Sequence, residues 1–137
     1  MTFLQIHIVA ASAWIGLIAA EVAIELLAKD DTTRRFVAQA HKRIDVFFEG
    51  PLVTMVLLTG CVLLYRLWPD ATPLLLIKVA AGTIAVVSNV ICIHWVLSRA
   101  RAKDDAEFYK YAKKVSWTGY TIPFGLLALG LALYGVS

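Results

Sequence analysis

Four long apolar runs alternate with short polar segments along the chain: Phe3 to Ala28, Ile44 to Trp68, Leu74 to Ser98 and Val115 to Val136. Each exceeds the roughly 20 residues that a helix needs to cross a hydrocarbon core of about 30 Å. Between the second and third runs, Trp68-Pro69-Asp70-Ala71-Thr72-Pro73 forms a proline-bounded turn, because proline ends one helix and starts the next. The pattern predicts an all-α, integral membrane four-helix bundle in a single domain over residues 1–137.

Composition supports the same reading. The 137 residues are 60% hydrophobic and 17% charged, with a mean hydropathy of +0.74. A water-soluble domain this small cannot hide so much apolar surface. The net charge of +3 does not point to nucleic acid, because the basic residues gather between the apolar runs. Lys29, Arg34, Arg35, Lys42 and Arg43 fill the first connection, and Arg99, Arg101, Lys103, Lys110, Lys113 and Lys114 fill the third. The middle turn has none; Arg66 and Lys78 are the nearest. The positive-inside rule then puts two short basic loops in the cytoplasm and both termini outside. The expected location is a bacterial-type inner (plasma) membrane, crossed several times. No basic n-region precedes the first run and no small-residue cleavage site ends it, so no cleaved signal peptide is expected. Cys61 and Cys92 fall roughly 15 Å apart in depth, too far for a disulfide.

Ionisable residues inside a span are costly, so they face the bundle interior. In the first helix His7, Trp14 and Glu21 are seven apart and Glu25 follows one turn later, within about 40° of one another. In the second, His41, Asp45 and Glu49 step by four; Leu52, Val56, Thr59 and Arg66 continue that face, with a kink expected at Pro51. Lys78, Gly82, Ala85, Asn89 and Cys92 form a seam on the third, whose small residues allow close contact. On the fourth, Trp117, Tyr120, Phe124, Leu127, Leu131 and Tyr134 read as a packing face.

Depth sorts the polar groups into two layers. His7 and Lys78 lie near the outer surface; Glu21, Glu25, His41, Asp45, Glu49 and Asn89 lie in the cytoplasmic half. Carboxylates and an imidazole on facing helices are what an oxygen-rich divalent metal site requires. Without a cation the carboxylates repel, and some must then stay protonated. A hydrogen-bonded or salt-bridged network with Lys29, Lys42 or Arg43, and a proton path, are the alternatives. His7 can ligate haem, move a proton or hydrogen-bond in the core; Lys78 can neutralise an anionic group or reach the outer surface. His94 sits away from the seam and reads as an interface residue.

Several of these residues resemble one family. His7 followed by Trp14, then Gly50-Pro51, Thr59-Gly60 and Leu63-Leu64-Tyr65, Leu76-Ile77-Lys78-Val79, and Phe108-Tyr109 with Pro123 are similar to the HemJ-type membrane proteins associated with protoporphyrinogen IX oxidation. That family is in turn distantly similar to the CopD-type copper-resistance domain. The resemblance implies a haem-binding oxidoreductase: haem b held at His7 beside Trp14, Lys78 needed for activity, and a quinone or respiratory electron acceptor. The inner half departs from the pattern. Where the family typically has an arginine, this chain reads Glu21-Val22-Ala23-Ile24-Glu25, and His41, Asp45 and Glu49 open its second helix.

Two functions therefore compete: a HemJ-like oxidoreductase using His7 and Lys78, and a non-enzymatic metal-binding or transport protein using Glu21, Glu25, His41, Asp45 and Glu49. A subunit that packs against a larger membrane complex is a third. The expected partners are the lipid bilayer and, because four spans are too few to enclose a wide pore, a second copy in a homodimer.

Overall fold

The computed structural model describes residues 2–135, and the described part is helical throughout its regular structure. Val136, the predicted end of the fourth helix, lies outside the described residues. Helix α1 (Phe3–Leu27) opens with a reciprocal cap: the Thr2 hydroxyl accepts from the Gln5 amide, and the Gln5 side chain accepts from the Thr2 amide. Residues 28–30 then reverse the chain. Helix α2 (Asp31–Ile44) runs through a π-helical turn (Asp45–Glu49) into α3 (Gly50–Leu67). After a 3-10 turn at Trp68–Asp70, α4 (Pro73–Ala100) begins with Thr72 capping the Leu75 amide and Pro73 in the first turn. Helix α5 (Asp105–Thr118) passes through a 3-10 turn (Gly119–Thr121) into α6 (Ile122–Leu133). The result is four rods, each long and apolar enough to cross a membrane.

The basic segments differ from expectation. They are read from sequence as loops, yet most of their residues lie on α2 and α5. The cause is capping. Asp30 accepts from the Thr33 amide at 2.9 Å and the Thr33 hydroxyl at 2.6 Å, and Asp104 accepts from the Glu107 amide at 2.8 Å. The Thr33 hydroxyl, helped by the backbone amide, holds the Asp30 carboxyl below its ordinary value. Started this early, the second rod runs from Asp31 to Asp70. At 1.5 Å per residue it is about 60 Å long, roughly twice the hydrocarbon thickness. Its first half packs mainly against α4 and reaches α5 through side chains. Arg35 pairs with Asp105 and lies 4.9 Å over the Phe108 ring, the Tyr109 hydroxyl donates to Asp31, and Gln39 donates to the Ala100 carbonyl at 2.9 Å.

Small side chains set the helix contacts. Ala10, Trp14, Val53, Val56 and Ala85 form the apolar centre where α1, α3 and α4 meet. A Cβ placed on Gly82 would lie 3.7 Å from Ala128 Cβ, and one on Gly125 would lie 3.6 Å from Ala85 Cβ. This is the close approach of small residues by which apolar helices associate. It also reverses the expected face of the last rod. Trp117, Tyr120, Phe124, Leu127 and Tyr134 point outward, with Tyr120 76% and Tyr134 92% exposed, while Val115, Gly125 and Ala132 are buried. Bulky rings cannot enter a seam this narrow, so they take the outer surface.

Gly125→Leu overfills that seam and is expected to destabilise the bundle by about 1–3 kcal/mol. Gly130, with nothing within 4 Å of an added Cβ, should accept leucine without loss. Thermal melts of both variants in detergent test this; equal melting temperatures contradict the α4–α6 seam.

Candidate metal centre

Three helices bring the inner acidic groups to one place. The four-residue spacing of His41, Asp45 and Glu49 puts them on one face, and all three are buried. The π turn adjusts that face where the ladder crosses from α2 to α3. Pro51 has no amide hydrogen and its ring would collide with the carbonyl of Phe47 in a regular helix. Widening the preceding turn removes the collision, so the kink expected at Pro51 takes the form of the π turn before it. Gly50 completes it: its amide donates to the Asp45 carbonyl, and a Cβ there would come within 3.1 Å of that oxygen.

His41 is the hub. Its Nδ1 lies 2.7 Å from Glu25 Oε1, while its Nε2 faces Glu21 Oε2 at 3.6 Å and Asp45 Oδ1 at 3.5 Å. Arg99 donates to both oxygens of Glu25, at 3.1 Å for Nη1 to Oε2, and its Nη2 also comes within 3.2 Å of His41 Nδ1. Nδ1 cannot both donate to Glu25 and accept from Arg99. The shorter contact, to the carboxylate, assigns a proton to Nδ1. Nε2 is then the ring atom that faces Glu21 and Asp45. Distances of 3.5 and 3.6 Å are too long for hydrogen bonds. They match the edge of a tetrahedral site, about 3.4 Å for ligands about 2.1 Å from the ion. The chosen ligand atoms of Glu21, His41 and Asp45 all lie within 4.8 Å of one another.

Of the five predicted metal residues, the structure brings these three together. Glu25 stands behind His41, on the ring nitrogen away from Glu21 and Asp45, and orients the imidazole. Glu49 lies one level further in: its Oε1 accepts from Trp14 Nε1 at 3.2 Å and from Asn89 Nδ2 at 2.6 Å. Arg99, only 3% exposed, is the group that sequence reading missed as a site residue, having counted it among the orienting charges of the third connection. Lys29 and Arg43, the expected partners of the acids, are exposed. A cavity of about 380 Å³ reaches this cluster, with Trp14, Glu21, His41, Glu49 and Asn89 in its walls. Several buried oxygens around it have no hydrogen-bond partner: Glu21 Oε1, both Asp45 oxygens and Asn89 Oδ1.

The outer layer is different in kind. His7, Trp14 and Lys78 line an apolar cavity of about 480 Å³, given room by Gly60, Gly82 and Gly125. His7 Nδ1 is 2.9 Å from the Thr59 hydroxyl, which itself donates to the Met55 carbonyl at 2.7 Å. The hydroxyl therefore accepts from Nδ1, and Nε2 keeps its lone pair. Gly60 packs against the ring: a Cβ there would meet His7 Cε1 at 3.3 Å. An apolar cavity with one imidazole lone pair and a nearby lysine is donor chemistry that fits a haem-type group. His94 is exposed, and Cys61 and Cys92 are free thiols.

Fold and site together define a class: an all-helical bundle of four rods suited to a membrane, with a buried carboxylate–imidazole group suited to a metal ion. No family model, curated protein or solved structure matches the chain.

Removing Arg99 leaves Glu25 without its cation. Arg99→Met is expected to cost about 3 kcal/mol, and the double variant Glu25→Gln/Arg99→Met to recover part of it. Denaturation of the three proteins in detergent measures the coupling; a single variant as stable as the parent contradicts a structural ion pair.

Proposed function

We propose that this chain is a multi-pass membrane protein that binds a divalent metal ion between Glu21, His41 and Asp45, as a metal-binding or transport protein rather than an enzyme. The observation that carries this reading is the pair of 3.5 and 3.6 Å separations from His41 Nε2 to Asp45 and Glu21, too long to be hydrogen bonds and right for ligands of one ion. Glu25 on the far nitrogen fixes the ring and its tautomer, the usual support of a metal-binding histidine. One imidazole with carboxylates suits zinc, manganese, iron or cobalt(II); a thioether and thiolate set for Cu(I) is missing from the group. The basic faces of α2 and α5 favour an orientation with the metal in the cytoplasmic half and both termini outside, in a bacterial-type plasma membrane.

Calorimetric titration of the detergent-solubilised chain with Zn(II) tests the proposal. Glu21→Gln, His41→Ala and Asp45→Asn should each weaken binding at least about tenfold, with His7→Ala unchanged. Binding should strengthen as pH rises, because the ligands shed protons to the ion. If the triple variant binds zinc like the parent, the site is not there.

A second reading follows from the other cavity. His7, Trp14 and Lys78 in one apolar chamber favour a HemJ-like haem-binding oxidoreductase acting on protoporphyrinogen IX. His7 would hold haem b, which supplies the electron-transfer chemistry when bound; Lys78 would anchor an anionic group, and a quinone or respiratory partner would accept electrons. Absorption spectra before and after dithionite decide it. A Soret band that disappears in His7→Ala supports this reading, and protein absorbance alone rules it out.

A further inference from the structure

A single ion between Glu21, His41 and Asp45 leaves part of the cluster unexplained. It would use one oxygen of Glu21 and one of Asp45. Glu21 Oε1, Asp45 Oδ2 and Asn89 Oδ1 would remain buried without hydrogen-bond partners. An unsatisfied buried acceptor is destabilising, and more so when charged, so three at one place call for a ligand that accepts lone pairs. Asn89 is 92% buried by its 8% exposure, and it lines the 380 Å³ cavity together with Glu21 and Glu49. Its amide nitrogen is committed to Glu49 at 2.6 Å, which turns its carbonyl oxygen away from that bond.

Glu49 points to the same place. Two N–H donors, from Trp14 and Asn89, converge on its Oε1 and hold the carboxylate in position, and neither uses Oε2. Asp45 stands one turn from His41 and one turn from Glu49 on the same face, and its Oδ1 lies 3.5 Å from the His41 nitrogen that Glu21 also faces. Charge leads to the same conclusion. Arg99 pairs with Glu25, so Glu21, Asp45 and Glu49 crowd together, and the groups that face them, His41, Trp14 and Asn89, include no arginine or lysine. Crowded carboxyl groups in a dry interior are costly without a cation or shared protons.

Resting on the metal-binding reading above, we infer that the cluster is a dinuclear site: Glu21 bridges a first divalent ion, held with His41 and Asp45, and a second held with Glu49, Asn89 Oδ1 and the free oxygen of Asp45. Two ions bridged by carboxylates stand about 3.5–4 Å apart, a separation that the two oxygens of one carboxylate span. The 380 Å³ cavity gives the second ion its route of entry and room for water ligands. The second position has only oxygen donors, so it favours the harder ion, and manganese(II) is the probe that serves both positions.

The test loads the full chain in detergent with Mn(II) alone, removes excess ion by gel filtration, and measures manganese per chain with the EPR spectrum. The expected result is two ions per chain with a spin-coupled signal. Glu49→Gln and Asn89→Leu should each retain one ion with an uncoupled signal, and Asn89→Asp should restore two. One ion per chain in the parent, lost in Glu21→Gln, overturns the dinuclear site while leaving the mononuclear reading intact. No bound ion overturns both. Two uncoupled ions whose number is unchanged by Glu49→Gln also overturn it, since the second then lies elsewhere. Because the parent's stoichiometry and signal decide the question alone, a variant that fails to fold does not blunt the test.

Discussion

His41 carries Glu25 on one ring nitrogen and faces Glu21 and Asp45 with the other, inside a bundle whose remaining contacts are mostly apolar. Charged groups leave water only when something in the interior compensates them. Much of the structure around that cluster follows from that demand. Arg99 is drawn inward to Glu25, Trp14 and Asn89 turn their N–H groups onto Glu49, and the second rod widens by a π turn between Asp45 and Glu49. What these contacts leave over, several unpartnered oxygens beside the His41 ring, is a set of electron-pair donors gathered in one place.

The two ends of the bundle answer the problem of buried polarity differently. At the outer end one imidazole is held by one hydroxyl beside a large apolar chamber. At the inner end the polar groups are many and the space is shared among them. Trp14 lies in the walls of both cavities, with its ring nitrogen turned to the inner one. An inner cluster built this way suits a small cation; an outer chamber built that way suits an apolar molecule with one or two polar anchors.

The four apolar rods were legible in the sequence because length and hydropathy decide them almost alone. The His41, Asp45, Glu49 ladder was legible too, since four-residue spacing on a helix fixes a face. Three features were harder to read. The helical character of α2 and α5 was hidden by a rule that treats basic segments as loops, although Asp30 and Asp104 stand where N-caps belong. Arg99 was counted as a topological charge, yet the seam of Ala85, Asn89 and Cys92, continued through Val96, arrives at it one turn later. Trp117 and Tyr134 sit near helix ends, where aromatic rings favour an interface, but the outward turn of Tyr120 and Phe124 went unseen because size suggests core in water, whereas close helix seams select for small residues. The separate roles of Glu25 and Glu49 depend on distances that no spacing encodes.

X-ray absorption at the zinc K-edge of the Zn(II)-loaded chain most directly probes the donor set proposed around His41. The expected spectrum is a nitrogen and oxygen shell at about 2.0–2.2 Å, with the outer-shell scattering of an imidazole that vanishes in His41→Ala. A sulfur shell at about 2.3 Å, or a shell of water alone, would contradict a metal held by Glu21, His41 and Asp45.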